Sequence, residues 1–355
     1  MRNFLLITPF FLFSGIAFGQ TIWFVDASNS GTQNGTSWAT AFVNLQDAID
    51  SSSVGDTIWV AKGTYYPTKL AGAGTNPRDK SFLINYQSRI YGGFDGTETT
   101  WADRNTDSTS LHVTNKTTLS GDLGTLNDNS DNSYHVVVVV GSQLSCVLDG
   151  FEVRDGNADS MSIYNVNGAS LFRNHGAGIY SYNSYATFSN CIIRENQASS
   201  GGAGMNNTSG GSHLNRVVFK ANVINGTFSQ NPNGGGAGMR NDGGSANVTD
   251  SYFIANENST NQGGGAIRNE NSSTALFRNV VIKNNYSENG DGGGGMYNSN
   301  GSEPTLINVS FISNSTTNQG GAMYNDDSKP KLYNCLFFEN VGDGGAGAIE
   351  SDGGS

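Results

Sequence analysis

The sequence predicts an all-β solenoid, a parallel β-helix in which short strands coil around a narrow core. Three observations lead to this fold class. The 355-residue chain contains 48 Gly and 44 Asn, residue types that disfavour long helices and favour turns. A repeat with spacings of 26 to 34 residues runs through the second half, and such a period is typical of solenoids. Its apolar segments are short, as strands are.

The first 19 residues have the features of a secretory signal peptide. Arg2 supplies a positive charge, an apolar run extends from Phe4 to Phe18, and the small residues Ala17 and Gly19 suit a cleavage site. A retained membrane anchor is the alternative, but the run is shorter than the roughly 20 residues that span a bilayer. We therefore expect residues 1–19 to be removed. The mature protein is then secreted or held at the cell surface, peripheral to the membrane rather than spanning it.

Residues 20–134 are expected to form an N-terminal cap and the opening coils. Leu45, Ala48 and Ile49 have the i, i+3, i+4 spacing of a short amphipathic helix. A solenoid needs a cap over its open apolar end. This short helix is the natural candidate for the cap.

The repeat coils are expected at residues 135–355, and each of the first six repeats has two strand-like segments. The first segment places one apolar residue in each repeat: Ile179, Met205, Met239, Ile267, Met296, Met323 and Ile349. The second contributes another apolar series: Ile193, Phe219, Phe253, Ile282, Phe311 and Phe337. Because coils stack in register, both series should form inward ladders. The seventh repeat begins and is not completed before Ser355, so we expect the sequence to be truncated at the C-terminus.

Each second segment closes with an asparagine three residues after its apolar residue. These are Asn196, Asn222, Asn256, Asn285, Asn314 and Asn340. We expect each to lie in a turn in the left-handed conformation, with its amide bonded to the asparagine of the next coil. Gly runs before each first segment should form the tight corners.

The three cysteines do not form a disulfide scaffold. Cys191 and Cys335 occupy the same repeat position five coils apart, a rise of about 24 Å, whereas a disulfide needs Cα atoms within about 7 Å. We expect them, with Cys146, to be small buried apolar residues.

Two motifs recur as a pair in the repeats. Gly-Gly-Ala followed by Ile or Met occurs at 264–267 and 320–323, and Phe-x-x-Asn occurs at 219–222, 253–256, 311–314 and 337–340. The pair resembles the repeats of polymorphic outer membrane proteins, and the chain is similar to secreted β-helix proteins of Bacteroidetes-like bacteria. The resemblance implies a right-handed parallel β-helix with a pectin-lyase-like fold, found outside the cell or associated with the outer membrane.

The outward side of the first strands carries the residues expected to bind a ligand. We call them the stripe: Tyr180, Tyr182, Arg240, Asp242, Arg268, Glu270, Tyr297, Tyr324 and Asp326. Aromatic faces stack on sugar rings, Arg can grip acidic sugars with two hydrogen bonds, and Asp/Glu clusters can take Ca²⁺. The alternative is that Arg240 and Arg268 simply pair with Asp242 and Glu270 across neighbouring coils.

Two functions remain open from the sequence. An enzyme would be a polysaccharide lyase or glycoside hydrolase acting on acidic polysaccharide, with Arg240 or Arg268 as base and Asp242 and Glu270 as its carboxylates. A surface protein would use the stripe for adhesion or glycan binding without catalysis. We favour the second, because catalysis needs one unusual coil and these coils are alike. The net charge of −11 excludes nucleic-acid binding by bulk charge, so polysaccharides or surface glycans are the expected partners.

Overall fold

The structure is a computed structural model that describes residues 20–84, 88–104, 116–141, 146–226, 234–288 and 290–353. The predicted signal peptide at residues 1–19 lies outside this part of the chain. Within it, four parallel sheets run along the solenoid, and each full repeat contributes one strand to each sheet. The predicted all-β parallel β-helix is confirmed.

Sheet I consists of the first strands of the repeats and of two earlier strands. Its strands are Phe82–Leu83, Val137–Val140, Ile179–Tyr182, Met205–Thr208, Met239–Asp242, Ile267–Glu270, Met296–Ser299, Met323–Asp326 and Ile349–Asp352. Sheet III contains the predicted second strands. Its strands are Gly63–Tyr65, Thr117–Ser120, Phe151–Arg154, Ile192–Arg194, Val218–Lys220, Tyr252–Ile254, Val281–Lys283, Ser310–Ile312 and Leu336–Phe338.

Sheets II and IV contain the strands that the repeat pattern did not predict. Sheet II consists of Ile22–Val25, Thr57–Ala61, Arg89–Phe94, Val147–Asp149, Thr187–Ser189, His213–Asn215, Asn247–Thr249, Leu276–Arg278, Thr305–Ile307 and Lys331–Tyr333. Sheet IV consists of Asn157–Ala158, Gln197–Ala198, Val223–Ile224, Glu257–Asn258, Tyr286–Ser287, Ser315–Thr316 and Val341–Gly342. In the first six repeats a coil therefore has four strands, where the sequence predicted two.

The apolar ladders stack in the predicted register. Ile179 pairs with Met205 and Met205 with Met239 in sheet I, while Phe219 pairs with Phe253 in sheet III. Both ladders are fully buried except at the last coil, where Phe337 and Ile349 are partly buried. Because each buried side chain of this size stabilises the fold by about 1.5–3 kcal/mol, stacking lets a few apolar residues stabilise a long chain.

The recurrent asparagines form a buried hydrogen-bonded ladder along one corner. The Nδ2 group of Asn222 donates to Oδ1 of Asn256 at 3.0 Å, and Asn256 donates in the same way to Asn285 at 2.9 Å. The predicted amide pairing is confirmed. The predicted left-handed conformation is wrong: the residue before each of the six has the positive φ, for example Ala255 at 52°. None of the six asparagines itself has a positive φ, and their side chains are buried except that of Asn340, which is half-buried.

Glycines form the corner before each first strand, as predicted. Gly236 has a φ of 64°, and a Cβ atom there would lie 2.7 Å from the backbone nitrogen of Arg268. Left-handed backbone and close approach of the next coil both require Gly at this corner.

The predicted capping helix is present as Leu45–Ser51. Leu45, Ala48 and Ile49 are buried in the main core. The side-chain amide of Gln46 bonds both the N–H and the C=O of Leu83, at 3.0 and 3.2 Å. Leu83 belongs to the end strand of sheet I, so the helix covers apolar surface and also satisfies an exposed strand edge.

The remaining elements are short. Four 3₁₀ turns lie at Trp38–Thr40, Pro77–Asp79, Trp101–Asp103 and Asn129–Asp131. Strands Ile163–Val166 and Ala169–Phe172 form an antiparallel hairpin that leaves the coil. The cysteines are free, with Cys146 and Cys191 buried and Cys335 partly so, which agrees with the prediction.

Candidate functional site

The register of sheet I brings the stripe together in two columns. In the first, Arg240 pairs with Arg268, Arg268 with Tyr297, and Tyr297 with Tyr324. Tyr180 begins this column two coils before Arg240, with Asn206 between them. The second column contains Tyr182, Asp242, Glu270 and Asp326, each two positions further along its strand. Alternation within each strand is as predicted, because the intervening residues point inward.

The first column is covered, although the sequence predicted that it would be displayed. Arg240 and Arg268 are each 4% exposed and Tyr297 is 2% exposed. The glycine-rich corners lie over them: a Cβ atom on Gly201 would lie 2.7 Å from Cδ of Arg240, and Nη1 of Arg268 donates to Gln262 Oε1 at 3.0 Å. Because Gly has no side chain, these corners can pack directly on the stripe.

Both arginines of the stripe form one ion-pair network with Asp242 and Glu270, which is buried except at Asp242. Arg240 Nη2 lies 2.5 Å from Glu270 Oε1 in the next coil and 3.1 Å from Asp242 Oδ2. Arg268 Nε lies 3.0 Å from the other oxygen of Glu270. The pair of Arg240 with Glu270 is the cross-coil pairing that the sequence left open as the alternative, whereas the other two pairs join residues of one strand. Such charge-assisted bonds fix side-chain positions strongly.

The network does not fit the Ca²⁺ site considered from the sequence. Both oxygens of Glu270 face guanidinium groups, and Asp242 Oδ1 accepts a hydrogen bond from Asn271 at 2.6 Å. In the part of the chain that the structure describes, no three His, Cys, Asp or Glu side chains are grouped closely enough to hold a metal ion. We therefore derive no calcium-dependent step.

The tyrosines of the stripe are held by ring stacking and by carboxylates. The rings of Tyr297 and Tyr324 stack at 5.6 Å, and their hydroxyls donate to Asp326 at 3.3 Å and to Asp352 at 2.5 Å. Burial raises the pKa of both hydroxyls above the usual range and that of Tyr180 to about 12. These groups therefore remain protonated donors. Tyr182, Asp242 and Asp326 are half-buried, so the second column is the more accessible edge of the stripe.

A buried polar cluster beside the hairpin was not predicted from the sequence. Arg173 donates to both oxygens of Asp79, at 2.6 and 2.8 Å. His135 lies close by, with its ring against Tyr164 and Tyr180. Burial lowers the pKa of His135 to about 4, so it is neutral at physiological pH. The contributing segments are far apart in the chain and share no motif, which is why no pattern identified them.

An aromatic cluster near the N-terminus was also missed. It joins Trp38, Trp59, Phe94 and Trp101 on the outward side of sheet II. Only the concentration of all four tryptophans within residues 23–101 could have signalled it.

The chain has structural neighbours among solved proteins. No protein-family model and no curated protein matches the chain. A crystal structure of pectate lyase Pel9A is similar, with 14% identity and a TM-score of 0.46 over 89% of this chain and 78% of that one. A crystal structure of PfbA, a surface adhesin of Streptococcus pneumoniae, matches with 11% identity and a TM-score of 0.24 over 88% of this chain and 92% of that one. At these values neither likeness assigns an activity to this chain.

The described residues contain no helix long and apolar enough to cross a membrane.

Proposed function

We propose that this chain is a secreted or cell-surface β-helix protein that binds glycans without cleaving them. The proposal rests on the burial and pairing of Arg240 and Arg268. A lyase base must reach the substrate, whereas these arginines are each 4% exposed beneath glycine corners and paired with Glu270. Their geometry supports a role in holding the coils together.

The accessible edge of the stripe supports glycan contact. Tyr182, Asp242 and Asp326 are half-buried on the same sheet, so a ring and two carboxylates face outward along the solenoid axis. A tyrosine ring offers an apolar face for a sugar, and carboxylate oxygens accept hydrogen bonds from its hydroxyls. The predicted signal peptide and the repeats of polymorphic outer membrane protein type support a location outside the cell or at its surface.

Polysaccharide lyase activity is the second candidate. Two observations favour it. Two arginines and two carboxylates converge across two coils, and Nε of Arg240 is buried without a hydrogen-bond partner among the described residues. Opening of the glycine corners would be required before a substrate reached this group.

The two candidates differ in turnover. Purified protein incubated with polygalacturonate, with and without Ca²⁺, is expected to produce no new unsaturated sugar ends. In affinity gels that contain polysaccharide, the same protein is expected to bind. Calcium-dependent production of such ends, abolished in both Arg240→Ala and Arg268→Ala, would overturn the proposal in favour of the lyase.

Gels cast with other polysaccharides, neutral and acidic, test the site itself. Tyr182→Ala and Asp326→Asn are expected to reduce retardation in any gel that retards the wild type. Tyr185→Ala is the matched control, because Tyr185 is 44% exposed just beyond the same strand. Equal retardation of all variants would show that the stripe takes no part in binding.

A further inference from the structure

The outward side of sheet II begins as an aromatic surface. Phe24, Trp59 and Tyr91 occupy the same outward position in three successive strands, with Phe24 paired to Trp59 and Trp59 to Tyr91. Trp38, Phe94 and Trp101 pack over this column. The apolar core lies on the other side of the sheet, so this is a second aromatic cluster, built on the outside of the coil.

Two of the six rings in this cluster are buried and three are half-buried, but its last member faces solvent. Trp59 and Phe94 stack at 4.6 Å and are 5% and 0% exposed. Trp101 meets the ring of Tyr91 edge-on at 4.4 Å and 82°, yet it remains 46% exposed. A ligand with an apolar face can cover an indole ring that is exposed to water and supported by packed side chains.

The position of Trp101 is fixed by contacts of the residues that precede and follow it in the chain. The guanidinium group of Arg104 lies 5.0 Å from the Trp101 ring centroid and is fixed by Gly92 O at 2.6 Å and by an ion pair with Asp149. On the other side, Asp103 Oδ2 accepts from the backbone N–H of Thr100 at 3.0 Å. A ring that is already fixed loses little conformational entropy when a ligand binds.

Beyond Tyr91 the same column becomes polar. Tyr91 pairs with Asp149, Asp149 with Ser189, Ser189 with Asn215, and Asn215 with Thr249. Arg104 neutralises Asp149, so this row offers hydroxyl and amide groups without net charge. Successive strands are about 4.8 Å apart, and the row therefore runs along the solenoid axis from the exposed indole.

From this arrangement we propose that Trp101, Tyr91 and the row from Asp149 to Thr249 form a binding site for a neutral glycan chain. The inference rests on the proposed glycan binding but places a site on a different sheet from the stripe. One sugar ring covers Trp101 with its apolar C–H face, beside Tyr91. The following units lie along the row. There Ser189, whose hydroxyl donates to Asp149, accepts hydrogen bonds from their hydroxyl groups, and the amide of Asn215 exchanges hydrogen bonds with them.

Calorimetric titration with three neutral hexasaccharides, cellohexaose, xylohexaose and mannohexaose, and with hexagalacturonate as an acidic counterpart, tests this site. At least one neutral oligomer is expected to bind and to change the tryptophan fluorescence. Trp101→Ala should weaken that binding at least tenfold. Trp101→Phe should keep more of the affinity than Trp101→Ala while losing most of the fluorescence change, because it retains a ring but no indole.

Tyr66→Ala is the matched control, since Tyr66 is a similarly exposed aromatic residue, at 44%, and should bind like the wild type. Thermal melting of each variant checks that the fold is retained. The site is overturned if no neutral oligomer binds, if only hexagalacturonate binds, or if folded Trp101→Ala binds as tightly as the wild type. Turnover of polysaccharide would instead overturn the proposed function and leave this site standing.

Discussion

At the scale of single residues, the buried asparagines form hydrogen bonds with backbone groups, which apolar core residues cannot do. In five of the six, all but Asn196, the side-chain carbonyl oxygen accepts both a side-chain and a backbone N–H from the preceding coil: Oδ1 of Asn256 accepts from Nδ2 and from N of Asn222, at 3.0 and 3.2 Å. The amide of Asn256 also donates to Phe219 O at 3.1 Å. The ladder therefore satisfies backbone groups at a buried corner, where each unpaired group would cost about 1–3 kcal/mol.

Asn256→Ala is expected to lower the free energy of unfolding by about 3 kcal/mol or more, because it orphans two donors of Asn222 and one carbonyl. Denaturant unfolding of the purified variant measures this. Asn215→Ala is the matched control: Asn215 also donates to the next coil, to Thr249 Oγ1 at 2.7 Å, but it is exposed, and its loss should cost under about 0.5 kcal/mol. Equal losses for the two variants would contradict the role given to the ladder.

His135 should make the fold sensitive to mild acid. Its pKa falls to about 4 in the folded state because it is buried, whereas an unfolded chain binds the proton near pH 6.5. His135 therefore does not lower the free energy of unfolding above about pH 6.5. As the pH falls from 6.5 toward 4, the free energy of unfolding decreases by about 3 kcal/mol because of this group.

Unfolding free energies measured between pH 7 and 4.5 test the histidine effect. His135→Gln, which cannot titrate, should show a shallower fall than the wild type. His213→Gln is the control, since His213 is exposed, and its curve should follow the wild type. A wild-type slope unchanged in His135→Gln would refute the assignment.

At this scale the sequence predicted the hydrogen-bond partner of each asparagine side chain, but it did not predict the backbone conformation. The recurrence of Asn marks the position. The left-handed residue before it varies in type, as Glu195, Ala221 and Asn284 show, so no pattern revealed it. Tertiary stacking imposes that conformation, against the preference of residues such as Ala.

At the scale of elements, the repeat predicted sheets I and III and missed sheets II and IV. The strands of sheet II in the repeats are three residues long, and in three of the six one buried apolar side chain lies between two polar neighbours, as Phe188 and Leu214 do. Those of sheet IV have two residues, such as Gln197–Ala198. Periodicity needs several alternating positions to stand out, so strands this short are recognised only by comparing repeats.

The glycine corners give a prediction at the element scale. Gly236 and Gly243 have nearly the same φ, 64° and 62°, but differ in space: a Cβ on Gly236 would lie 2.7 Å from Arg268 N, whereas one on Gly243 would meet nothing nearer than 3.5 Å. Gly243→Ala should therefore cost about 1–2 kcal/mol for backbone conformation alone. Gly236→Ala should cost at least about 2 kcal/mol more, because a coil must shift.

Thermal and denaturant unfolding of the two glycine variants gives the comparison directly. The difference between them measures the close approach of backbone atoms to a Cβ atom on Gly236, from Met239 O in its own coil and from Arg268 N in the next coil at 2.7 Å, since the cost of the left-handed conformation is common to both. Similar stabilities for Gly236→Ala and Gly243→Ala would mean that the corners are looser than described.

At the scale of the whole molecule, sequence periodicity shows which side of a strand faces the core, and it does not show what covers the other side. The stripe was correctly placed on the outward side of sheet I. Its burial arises because the glycine-rich corner that precedes each strand folds back over the sheet, as Gly201 does over Arg240. The aromatic cluster at Trp101 was missed for the same reason, since it forms between coils.

The burial and pairing of Arg240 and Arg268 make them structural residues. Reaction of the native protein with phenylglyoxal, followed by peptide mass spectrometry, measures their accessibility most directly. Arg89 and Arg278 are exposed and should be modified quickly, while Arg240 and Arg268 should be protected until the protein is unfolded. Modification of Arg240 or Arg268 in the native protein as fast as that of Arg278 would contradict the account and reopen catalysis at the stripe.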